Sequence, residues 1–141
     1  ACPSGSLNHD TTTAEQVQMG VAMLKNPSKC LALLGKNVNL EDISEILTHS
    51  NKNEREQKVL DDLKEYVGKP CTICADLCPY PAKDKAIAMV SDNKGNFYPE
   101  IRSECVGCGV CEELCPVKDE AAIVIIPRVK YEEIYSWKKY L

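Results

Sequence analysis

Seven of the chain's nine cysteines fall into two tight groups, and no other feature restricts the possible folds as much. The second group reads Cys105-Val-Gly-Cys108-Gly-Val-Cys111-Glu-Glu-Leu-Cys115-Pro116, a C-x2-C-x2-C-x3-C-P run. The first, Cys71-Thr-Ile-Cys74-Ala-Asp-Leu-Cys78-Pro79, is the same run with Gly68 in place of the leading cysteine. Cys71, Cys74 and Cys78 lie 37 residues before Cys108, Cys111 and Cys115 respectively. A constant offset of this kind predicts two similar half-units packed against each other. The chain also needs a staple. Its 141 residues suit one domain and 44% of them are hydrophobic, but setting the cysteines aside lowers that share to roughly 38%, thin for an ordinary core.

The spacing is that of iron–sulfur ligation in bacterial ferredoxins. Three closely spaced thiolates on a curled loop wrap three corners of a cluster, and the fourth comes from elsewhere. In two-cluster proteins the cysteine before proline reaches the other cluster. That rule assigns Cys105, Cys108, Cys111 and Cys78 to cluster one. Cys71, Cys74 and Cys115 supply three ligands of cluster two, and the residues alone leave Cys2 and Cys30 as candidates for the fourth. Gly107 and Gly109 suit a loop that turns its amides towards cluster sulfurs. Pro79 and Pro116 set φ after each distant ligand. Structural zinc prefers two separated C-x2-C pairs, which this run fits poorly. Disulfides do not require proline after two equivalent cysteines.

Other classes lack support. The formal charge is −4, against the basic stripe of a nucleic-acid binder. The longest apolar run, Ala121 to Ile126, is far too short to span a membrane, and no leader pattern opens the sequence. No nucleophile–base pair or phosphate loop is visible, and His9 and His49 sit in polar stretches with no expected metal or catalytic role.

The stretch Cys30-Leu-Ala-Leu-Leu-Gly35, followed by Lys69-Pro70-Cys71 through Pro79, resembles the NapG/MauM ferredoxin-type proteins, which carry C-L-A-x-x-G before C-x2-C-x3-C-P. Asp84 to Ile87, Tyr98 to Ile101, Cys105 to Glu112 and Ala121 to Pro127 are similar to that family too. So is the opening Ala1-Cys2-Pro3-Ser4-Gly5-Ser6-Leu7. The resemblance implies Cys30 as the fourth ligand of cluster two, beside Cys71, Cys74 and Cys115. It implies the C-terminal half of a four-cluster protein, with Cys2 an orphan thiol from a cluster in the other half. It also implies a periplasmic electron relay between a membrane quinol dehydrogenase and a periplasmic reductase.

The departure from the family is residues 36–68, where the family pattern leaves only a few residues and this chain has 40 between Cys30 and Cys71. Asn39 is positioned to cap a helix over Leu40 to Leu47. Asn53, with Glu56 three residues on, reads as a capping box for a second helix whose apolar stripe is Val59, Leu60, Leu63 and Val67, stopped by Gly68. The simpler expectation is a hairpin shielding cluster two, the sharper one a partner-docking element. By separating Cys30 from its co-ligands it predicts cluster two as the more labile. Thr13 with Gln16 reads as the cap of a helix over Ala14 to Asn26, ended by Pro27. Short strands are expected at Ala86 to Val90 and Ala122 to Ile126, each after a Cys-Pro, with a turn at Asp92 to Asn96 and a return strand over Phe97 to Arg102. Tyr131, Ile134, Tyr135 and Trp137 have partly helical spacing suited to packing on the core.

The expected fold is α+β: one ferredoxin-like domain over 1–141 with a two-[4Fe–4S] core (1–35 and 69–128), a helical insert (36–68) and a tail (129–141). The expected function is a non-enzymatic electron carrier with two [4Fe–4S] clusters. Glu104, Glu112, Glu113, Asp119 and Glu120 crowd the cluster-one loop, where their charge is expected either to lower its potential and steer a basic partner or to form only a solvated acidic face. The alternative is a three-cysteine cluster, [3Fe–4S] or open-cornered, in a sensor or enzyme subunit.

Overall fold

A computed structural model describes residues 12, 19–48, 53–117 and 119–127. The expected cap at Thr13, the tail residues Tyr131 to Trp137, His9, His49 and Cys2 lie outside the described residues.

Two antiparallel strand pairs frame a mixed α+β domain. β1 (Gly20–Leu24) pairs with β4 (Ile123–Pro127), joining the two ends of the described chain, while β2 (Ile87–Ser91) and β3 (Phe97–Ile101) form a hairpin. β2 and β4 each follow a Cys-Pro, as expected, one residue later than their sequence limits. The hairpin turn is local chemistry: the Asp92 carboxylate accepts the amides of Lys94 and Asn96, both at 2.8 Å, and Gly95 takes φ +85°.

The helix expected over Ala14 to Asn26 is corrected: its described part, Gly20–Leu24, is strand. Tertiary pairing decided this. Val21 and Ala22 are buried against the core, and β4 supplies the full hydrogen-bonding partner for the segment. A Cβ on Gly20 would lie 2.6 Å from the Ile126 carbonyl, so only glycine fits there. Pro27 opens a 3-10 turn, Pro27–Lys29, which delivers Cys30.

The helical pair is α1 (Leu40–Leu47) and α2 (Glu54–Lys64). The Asn39 amide donates to the Asp42 carboxylate at 3.0 Å. Asn53 and Glu56 form the reciprocal box, with the Glu56 amide on Asn53 Oδ1 (3.0 Å) and the Asn53 amide on Glu56 Oε2 (3.1 Å). Ile43, Ile46, Leu60 and Leu63 pack with Val38, Ile73 and Leu114. Gly68 is not the C′ residue: α2 ends at Lys64, and Gly68, at φ +81°, instead turns the chain so that its amide meets the Val38 carbonyl at 2.8 Å. The Val38 amide answers by donating to the Lys69 carbonyl at 2.9 Å. These two bonds tie the base of the helical pair into a narrow neck. Two one-turn helices complete the fold: α3 (Ile73–Asp76) and α4 (Val110–Glu113), packed against each other at equivalent positions of the two cysteine runs.

Candidate metal centres

Eight cysteines are described, none in a disulfide, and they sort into two neighbouring cavities. Cys78, Cys105, Cys108 and Cys111 line one, of about 650 Å³, with Tyr80, Ile87 and Ile125. Cys30, Cys71, Cys74 and Cys115 line the other, of about 380 Å³, with Leu24, Leu31, Ile73 and Val117. Seven of the eight fall in the sets that the cysteine spacing anticipates, and Cys30, which the family resemblance placed in the second set, lines the second cavity.

The first cavity is built by a loop that only glycine permits. Gly107 and Gly109 take φ +70° and +87°, and Gly109 is the N-cap of α4. Gly107 has a second constraint, because a Cβ there would lie 2.5–2.7 Å from the Gly20 backbone. Two glycines on different elements thus let β1 touch the cysteine loop. That approach brings the Ala22 amide to Cys105 Sγ at 3.3 Å. Sequence reasoning missed Gly20 and Ala22, since both sat inside an expected helix. The glycine in that helix was the available signal.

The second cavity draws on three separate stretches. The 3-10 turn delivers Cys30, α3 and its N-terminal loop deliver Cys71 and Cys74, and Cys115 arrives after α4. The Ala122 amide points at Cys115 Sγ at 3.4 Å. Above it, the α1–α2 core includes Ile73 and Leu114 and packs against Cys71.

Burial pushes the Cys71 and Cys111 thiols up to about 12, and raises Cys74 well above and Cys78 above the usual thiol value. Neighbouring cysteines add to the rise, while the amides of Ile73, Tyr80 and Glu112 oppose it at Cys71, Cys78 and Cys111. Cys74 is influenced by Cys111 as well as by its own group, so the two cavities adjoin through the α3–α4 contact. Dry, mutually repelling thiols favour a bound cationic centre, which replaces their protons. Among the described residues, no three His, Cys, Asp or Glu side chains converge as they would on a single metal ion. One tetrahedral zinc with bonds of about 2.3 Å would draw its sulfurs to about 3.8 Å apart. A multi-iron cluster is wider and holds its thiolates farther apart. Donor type and number in both cavities fit such a cluster.

Of the expected acidic face, Glu112 accepts the Ile125 amide at 2.7 Å, and Glu120 pairs with Lys25 at 2.6 Å.

The comparisons agree with this chemistry. The chain is 31% identical over 134 residues to the ferredoxin-type protein NapG of Haemophilus influenzae, covering 90% of this chain and 35% of that protein. It is 29% identical over 130 residues to the methylamine utilization ferredoxin-type protein MauM of Methylobacillus flagellatus (91% and 41%). It is 25% identical over 133 residues to NapG of Escherichia coli (89% and 42%). The chain is a homologue of the NapG and MauM ferredoxin-type proteins. It spans 35–42% of the length of these relatives. No family model and no solved structure matches. Ferredoxin-type relatives imply iron–sulfur clusters and electron transfer. Among the described residues, no helix is long and apolar enough to cross a membrane.

Proposed function

We propose that the chain is an electron carrier holding two [4Fe–4S] clusters, one on Cys78, Cys105, Cys108 and Cys111, the other on Cys30, Cys71, Cys74 and Cys115. The observation that carries this reading is the sorting of eight thiols, four and four, into two adjoining apolar cavities. Each cluster supplies reversible one-electron chemistry with every iron corner closed by a thiolate.

The protein's residues do the rest. Leu24, Leu31, Ile73 and Val117 keep water from the second cavity, and Ile87 and Ile125 line the first. The Ala22 and Ala122 amides offset charge on ligand sulfurs and so ease the arrival of an electron. The α3–α4 contact sets the two centres side by side, a short internal path for a single electron. Cys30 in the second cavity argues against an open iron corner, and with it against the three-cysteine alternative. By its resemblance to NapG, we place this relay in the periplasm, between a membrane quinol dehydrogenase and a periplasmic reductase. Residues 36–68 are read as an insertion into the family core.

Iron and acid-labile sulfide on anaerobically prepared protein test the reading. The expected result is about eight of each per chain, four per cluster, with reversible reduction inside the roughly −700 to +450 mV span of such clusters. Bound zinc, or clusters with no reversible reduction, would overturn it.

A further inference from the structure

An open groove runs between α2 and the β2–β3 hairpin, separate from both cysteine cavities. Asp62 of α2 with Glu65 and Tyr66 just after it, Asp76 and Leu77 at the end of α3, and Met89 and Phe97 of the hairpin line it. Three carboxylates there face one cation, Lys69. The Thr72 and Tyr66 hydroxyls donate to Asp76 Oδ2 at 2.6 Å and 3.2 Å, fixing that carboxylate in place. Phe97 is 50% exposed beside them. An exposed aromatic on an acid-fringed concave surface complements the charge of a cationic protein.

The groove's position gives it a purpose. Pro70 and Thr72, the chain neighbours of Cys71, both line it. Met89 also lines it, and packs against both apolar clusters, the one that contains Cys30 and the one that contains Cys105 and Cys111. A molecule seated there meets the chain on both sides of Cys71, a ligand of the second centre, and on one side of Cys78, a ligand of the first, through Leu77. The exposed ligand of the first centre, Cys108, is not among the groove's residues.

We infer that this groove docks a redox protein with a lysine- or arginine-rich face, which exchanges electrons with cluster two, leaving the Cys108 face to the other partner. The inference rests on the two-cluster reading above. One electron passes from reduced cluster two to the partner's oxidised centre, with no bond made or broken and no proton required.

The probe is a lysine-rich c-type cytochrome. Its reduction by the reduced protein is followed by stopped flow, and its binding by calorimetry, which needs no electron transfer. Asp62→Lys with Glu65→Lys is expected to slow reduction and weaken binding roughly tenfold or more and to flatten the salt dependence. Phe97→Ala should weaken binding a few-fold with the salt slope kept. Glu41→Lys with Glu45→Lys, an equal charge change on exposed positions of α1, should alter either by less than about twofold, since steering is local at physiological salt. The inference falls if the α1 variant matches the groove variant, or if Glu104→Lys with Glu113→Lys is the one that abolishes reduction and binding. It also falls if sedimentation shows a dimer lost on groove substitution, which assigns the groove to a second copy. Tighter probe binding after removal of residues 128–141 would assign it to the chain's own tail and overturn the inference equally. Iron and sulfide are measured on every sample, so absent clusters refute the functional reading, whereas full clusters with groove-insensitive rates and binding refute the dock alone.

Discussion

The two thiol-lined cavities share a 37-residue repeat yet are enclosed in different ways. The first takes three of its four thiols from one short loop, and its Cys108 is exposed. The second gathers Cys30 from across 40 intervening residues, and its thiols are buried or half-buried, with Cys71 packed against the core of the helical pair. Loop length alone makes the second the weaker site. The neck reverses much of that penalty. With Val38 bonded to Gly68 and Lys69, Cys30 and Cys71 are joined through a path about a quarter as long, which recovers about 1 kcal/mol of closure entropy. Solvent reach then decides between the sites, and it favours the second.

The sharpest way to break the comparison is to remove one thiol from each side. Cys30→Ala is expected to halve the iron and abolish one of two spectroscopic signals, leaving the other at full intensity. Cys108→Ala should do the converse, and unchanged iron in Cys30→Ala would end the assignment. In the intact protein exposed to air or a chelator, the signal lost in Cys108→Ala should fade first. The opposite order would mean that chain separation, not exposure, sets lability.

Leu63→Ala tests the cover. Leu63 is fully buried in the helical core, so truncation should cost about 2–5 kcal/mol in denaturant unfolding and hasten iron loss from the second site relative to the first. Equal acceleration at both sites would show that the helical pair stabilises the domain generally.

Gly107 and Gly109 sharpen the picture of the first site. Gly109→Ala meets no atom within 4 Å and carries only the positive-φ penalty, about 1–2 kcal/mol. Gly107→Ala carries the same penalty and also drives a methyl into the Gly20 backbone, for about 3 kcal/mol in all. Equal costs would mean that β1 yields easily. In Gly107→Ala the first-site signal should shift as the Ala22 amide is pushed from Cys105.

The smallest effect belongs to Tyr66. Burial, then the Asp76 carboxylate, pushes its hydroxyl from the usual 10.0 to about 12. The folded protein thus keeps a proton that the unfolded chain releases above pH 10. The corresponding stability is complete below pH 10 and is lost as pH rises towards 12. Tyr66 is only half-buried, so the gain is modest. Tyr66→Phe should flatten stability against pH in that window and nowhere else.

Where a residue's neighbours in sequence are also its neighbours in space, the reading from sequence succeeds. The Asn53–Glu56 box, the Asp92 turn, the β2–β3 hairpin it closes and the glycines of the Cys105–Cys111 loop are local arrangements, satisfied within a few residues. Gly20–Leu24 failed because its apolar residues suit either a helix or a strand, and only β4, a hundred residues on, settles which. Gly68 was misplaced for a similar reason: its positive φ serves a bond to Val38, thirty residues back, rather than the end of α2.

The amino-acid sequence by itself determined the donor chemistry and its grouping, because thiolate type and spacing are properties of the chain and only a few metal centres accept them. Tertiary structure brought Cys30 into the second cavity and set which amides face the sulfurs and which thiol meets solvent. Those outcomes depend on contacts between segments far apart along the chain, such as β1 on β4, Gly20 on Gly107 and Val38 on Lys69, whose energies no local pattern encodes.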